Sequence, residues 1–131
     1  MRERGFIMYD LSNLSDKQKR KLLWYYKGYA YIPVRNRTII LFLLELKCTA
    51  DEVASLKNSG IPFIPMQLKK QLKQWLKIRR ICFYGKEFSE YLFLNTHGKQ
   101  MTSKQIHFIV QAALKFIGIN PNDKQGRVAS C

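Results

Sequence analysis

Apolar positions recur at helical spacing over most of the chain, and the residues between them are explicit about where helices start. At Leu14-Ser15-Asp16 the Ser15 hydroxyl can accept from the amide three residues on while Gln18 reciprocates, so a helix is expected from Asp16 to about Tyr26. Gly28 ends it, and Tyr29 to Val34, which holds Pro33, is expected as an extended connector. From about Arg35 to Lys47 the residues Ile39, Ile40, Leu41, Phe42, Leu43, Leu44 and Leu46 leave little polar face, which predicts the central core helix. Thr49 and Glu52 form a second capping box, opening a short helix that carries Val53 and Leu56 inward before Lys57-Asn58-Ser59-Gly60 turns the chain.

The second half follows the same logic. Ile61 to Pro65, with two prolines, is expected to form at most an edge strand, because proline cannot donate to a ladder. Met66 to Arg80 is strongly amphipathic: Leu68, Leu72, Trp75 and Leu76 fall on one side, and Lys69, Lys70, Lys73, Lys77 and Arg80 on the other. Ile81 to Tyr84 reads as strand or loop, Tyr91 to Leu94 as a short buried strand, and His97-Gly98 as a turn. Thr102, with Gln105 three residues later, caps a last helix whose stripe is Ile106, Ile109, Val110, Ala113, Leu114 and Ile117, stopped by Gly118. The expected fold is therefore mainly α (α+β), one domain over residues 1–119 with a minimal β element, and an irregular tail over 120–131.

Charge changes the picture more than composition does. The 131 residues carry 23 Lys and Arg against 9 Asp and Glu, a formal net charge of +14, which implies a polyanionic partner and makes nucleic acid the leading class. Between Glu52 and Glu87 there is no acidic residue at all, whereas an ordinary solvated helix face mixes signs. No apolar run reaches the roughly 18 residues of a spanning helix, and the opening MRERGF lacks a long apolar core, so a cytoplasmic protein without a membrane partner is expected. Cys48, Cys82 and Cys131 are an odd set without CxxC spacing, and two histidines supply no metal-ligand pattern; no metal, cofactor or small-molecule substrate is expected. Tyr25, Tyr26, Tyr29 and Tyr31 could stack bases or pack as a satellite of the core.

Three segments, in order, resemble the catalytic domain of the tyrosine recombinase (phage integrase) family. Leu14-Ser15-Asp16 is similar to that family's opening LSxxE helix; LLELKCTADEVASL, Leu43 to Leu56, resembles its LYxTGLRxSELxxL passage, with Glu52, Val53 and Leu56 in frame. Most specific is Tyr91 to Gly118, similar to LF...G..mT...v......a..aGi. The resemblance covers about residues 14 to 119 and implies a trimmed recombinase-like domain that lays the helix after Thr102 on duplex DNA, with Ser103 and Lys104 at the contacting positions and His107 one turn on.

The residues the family's chemistry requires do not follow. Cleavage needs a tyrosine nucleophile and two arginines, with His and Lys managing protons. Thr49 stands where the first arginine belongs, and the hairpin that should bear the lysine is compressed to Lys57 through Gly60. His97 and His107 are followed three residues on by Gln100 and Val110 in place of an arginine, only Arg127 remains in the tail, and no tyrosine occurs after Tyr91. The resemblance thus implies a DNA-binding, integrase-like protein in DNA recombination with no catalytic residue of its own, its contacts drawn from Lys69, Lys70, Lys73, Lys77, Arg80, Ser103, Lys104 and His107. Double-stranded DNA is the first partner and an intact recombinase a second candidate; the alternative is a protein-interaction module that modulates such a partner.

Overall fold

In the computed structural model, which describes residues 10–61, 63–86 and 89–119, five α-helices account for the architecture: α1 (Asp16–Tyr25), α2 (Tyr31–Glu45), α3 (Ala50–Ser55), α4 (Met66–Cys82) and α5 (Ser103–Phe116). Three of them start where a reciprocal cap was legible. The hydroxyls of Ser15, Thr49 and Thr102 accept from the amides of Gln18, Glu52 and Gln105, whose side chains accept from the cap amides in return. α5 also stops as expected, at a Schellman turn: Gly118, at φ 85°, donates to the Lys115 carbonyl and Ile119 to that of Leu114.

α2 is the central element, with Val34 to Asn36 and Thr38 to Leu44 all buried. Its start corrects the expected connector over Tyr29 to Val34, because the helix begins at Tyr31 with Pro33 in its first turn. There the amide has no intrahelical acceptor to lose and the ring presets a helical φ. Its end comes at Glu45 rather than Lys47, which adopts a left-handed φ of 55° and turns the chain toward α3.

α4 lies antiparallel along α2, since Tyr31 meets Trp75 with ring centroids 5.1 Å apart while Thr38, seven residues on, accepts from Gln71. α5 packs against α3, α1 and α2, and its backbone does not come within 8 Å of that of α4. α4 continues through Cys82, placing Ile81 and Cys82 on a helix rather than in a strand or loop.

Neither expected strand forms among the described residues. Ile61 and residues 63–65 are irregular, and Tyr91 to Leu94 makes only the isolated bridges Lys57–Tyr91 and Leu94–Gln100. The buried run Leu92-Phe93-Leu94 has no neighbouring strand long enough to pair with, and its polar groups are satisfied piecemeal instead. Leu92 donates to the Leu56 carbonyl at 2.8 Å and Met101 to that of Phe93 at 3.2 Å. The Leu92 carbonyl accepts from the Trp75 indole at 3.0 Å, and that of Leu94 from the Tyr31 hydroxyl at 2.8 Å. Phe93 itself enters the core between Trp75 and Phe42, at centroid separations of 5.9 and 5.5 Å. The tail over residues 120–131, Arg127 included, lies outside the described residues.

Candidate nucleic-acid interface

α4 is built from two incompatible faces. Leu68, Leu72, Trp75 and Arg79, spaced four, three and four apart, are buried against α2 and the segment that follows the helix. Lys69, Lys70, Lys73, Lys77 and Arg80 are all exposed. Residues 53–86 hold eight Lys and Arg and no Asp or Glu, and the one ion pair among the described residues, Lys57 to Glu90 at 3.6 Å, involves none of this row.

Adjacent arginines on this helix have opposite fates. Arg80 faces water, whereas Arg79 is buried and its Nη2 donates to the carbonyls of Ser89 and Tyr91, each at 2.9 Å. The spacing that extends the Leu68-Leu72-Trp75 stripe to position 79 was visible in the sequence and marks Arg79 as a core group. Arg35 and Arg37 are also built into the fold. Arg35 donates to the Asn36 side chain and the Leu94 carbonyl. Arg37 donates to the carbonyls of Tyr26 and Gly28 and to the side chains of Gln71 and Gln74, which occupy one flank of α4. Burial lowers the pKa of all three guanidinium groups, and the N–H groups of Arg35 and Arg37 go to carbonyl and amide oxygens.

The start of α5 is a mixed environment. The Ser103 hydroxyl donates to the Asp51 carboxylate at the start of α3, so this side chain ties α5 to α3 and brings a negative group to the α5 amino end. Lys104 is exposed, its ammonium 5.8 Å from the centre of the Phe108 ring. His107 is half-buried, and desolvation lowers its pKa. A cavity of about 350 Å³ beside Ser103 is lined by both signs, Asp10 and Asp51 facing Lys19 and Lys47. The eight residues named from the sequence therefore fall on two helices whose backbones do not approach each other: five form the cationic row of α4, and three belong to α5.

Several side chains of the types that cleavage chemistry uses are engaged in the fold. Thr49 is the N-cap of α3, and Lys57 is paired with Glu90. His97 sits in the turn closed by Asn95, whose side chain accepts from the amides of His97 and Lys99. Tyr26 and Tyr31 donate to backbone carbonyls of Ile109 and Leu94, while Tyr25 and Tyr29 are exposed. Among the described residues there is no cluster of His, Cys, Asp and Glu able to hold a metal ion, and no helix is long and apolar enough to cross a membrane. No protein-family model, curated protein or solved structure matches the chain.

Proposed function

We propose that this chain binds duplex DNA through the outer face of α4, as a recombinase-like protein without cleavage chemistry of its own. The observation that carries this reading is the row Lys69, Lys70, Lys73, Lys77 and Arg80, exposed on one helix and unpaired with any carboxylate among the described residues. At 1.5 Å per residue the row extends about 17 Å, a length of duplex axis over which one strand carries roughly five phosphates at about 3.4 Å of rise each. Ammonium groups on flexible stems are point charges that neutralise phosphates without reading base edges, so the binding is sequence-tolerant. Lys104 contributes an outlying cation. The α5 start is the weaker phosphate site, because Asp51 stands beside Ser103 and offsets the favourable helix end.

The recombinase likeness draws support from the order of capped helices and from the mainly helical class, and Thr49 at the missing arginine position fits a chain that does not cut. The test is binding of a labelled 20-base-pair duplex across a potassium chloride series. For the intact chain, affinity should fall steeply with salt. With Lys69, Lys70, Lys73 and Lys77 all changed to Gln, binding at low salt should weaken more than tenfold, and the log–log slope should shrink by up to about 0.9 for each contact removed. Lys104→Gln should change affinity by less than about threefold. A quadruple variant with unchanged affinity and slope would overturn the assignment.

A further inference from the structure

The face of α5 turned away from the core is itself apolar. Phe108, Ala112 and Phe116 recur every four residues outside the buried stripe of Ile106, Ile109, Val110, Ala113 and Leu114, and the two phenylalanines are 51% and 53% exposed. Two large rings flanking a small residue leave a notch. Together with Tyr25 of α1, whose ring lies 4.9 Å from that of Phe116, and with Gln111 and Lys115, they line a groove of about 710 Å³. Exposed aromatic residues grouped on one helix face are the composition of an interface core rather than of ordinary solvated surface.

We infer that this groove is a docking site for an acidic amphipathic helix of a partner protein. Charge selects the occupant. α5 contains no Asp or Glu; Lys115 stands at one end of the Phe108–Phe116 stripe and Lys104 at the other, where the Asp51 carboxylate is taken up by the Ser103 hydroxyl, so a ridge of apolar residues flanked by carboxylates would meet a cation at each end. A second copy of this chain is disfavoured, because each carries +14 and would bring its own lysines against these. Base stacking by a single strand is disfavoured by geometry. The Lys104 ammonium already lies over the Phe108 ring, and the Phe116 ring is tilted 38° against Tyr25, leaving no open pair of parallel faces. The groove shares no residue with the α4 lysine row.

The test uses the full chain and a fluorescein-labelled, helix-stabilised 16-residue peptide with leucines along one side and glutamates flanking them. Saturable binding is expected, weakened at least about tenfold by joint Phe108→Ala and Phe116→Ala substitution, the scale of truncating interface anchors. Because each ring is about half exposed and lies outside the buried stripe, these variants should keep the parent far-ultraviolet spectrum and a cooperative thermal transition. Lys115→Glu should weaken the glutamate peptide and strengthen an otherwise identical peptide flanked by lysines. Ala112→Arg, which fills the notch, supplies an independent block. Equal binding of both peptides to the parent chain overturns the inference in favour of an apolar contact without charge selection, and binding indifferent to the phenylalanine and Ala112 changes overturns it in favour of simple charge attraction. So does loss, on the phenylalanine changes, of oligothymidine binding or of self-association in place of peptide binding.

Discussion

At the scale of single residues, this protein separates cations that hold the fold from cations that face outward, and the difference is one position on a helix. Arg79→Ala should destabilise the chain by about 1–3 kcal/mol in urea denaturation, since the Ser89 and Tyr91 carbonyls lose a buried charged donor. Arg80→Ala should stay within about 0.5 kcal/mol. The two tyrosine hydroxyls give a pH signature. Burial pushes Tyr26 and Tyr31 up to about 12 from an ordinary value near 10, so ionisation is opposed by the folded state. Stability should be intact below pH 10 and fall as pH climbs from 10 towards 12. Joint Tyr26→Phe and Tyr31→Phe should flatten that alkaline decline while costing about 1 kcal/mol per lost hydrogen bond at neutral pH; an unchanged profile would remove these two groups as its cause. The exposure of the α4 lysines was legible in the sequence, because a 100° step leaves them off the Leu68-Trp75 stripe. What was not legible is where Ser103 would turn: its tie to Asp51 spans two capping boxes remote in sequence, and no local rule pairs them.

At the scale of elements, what could be read was what is decided within four residues. Each reciprocal cap closes locally, so Ser15, Thr49 and Thr102 announced their helices independently of the tertiary structure. Thr102→Ala should accordingly cost about 0.5–2 kcal/mol, with Thr102→Ser recovering most of it, as measured by thermal or urea unfolding. The failures share an opposite cause. Pro33 was read as a breaker because its sequence neighbours do not reveal that it falls in a first turn, where it is tolerated. Tyr91 to Leu94 carries the apolar content of a strand, but a strand exists only with a partner. The groups that meet it are a tryptophan indole, an arginine and a tyrosine from two helices. The β element expected of the sequence is thus replaced by side chains reaching from α2 and α4.

At the scale of the whole molecule, a net charge of +14 is held together with a single ion pair among the described residues, so electrostatics opposes folding rather than assisting it. Raising sodium chloride from about 20 to 500 mM, which shortens the screening length several-fold, should raise the melting temperature by a few degrees. A protein stabilised by surface ion pairs would show the reverse, and a flat or falling melting temperature would contradict this account. The same arithmetic links stability to the proposed partner: a polyanion laid along α4 would stabilise the native state by mass action. The two tryptophans give the molecule a built-in way to be watched. Trp75 is wholly enclosed and bonded to Leu92, whereas Trp24 is 59% exposed with the Lys27 ammonium 4.9 Å from its ring. Iodide, drawn to that cation, would extinguish the outer indole and spare the inner one, so one emission spectrum resolves into a surface colour and an interior colour. The first reports on whatever settles near α1, the second on whether the centre is still dry.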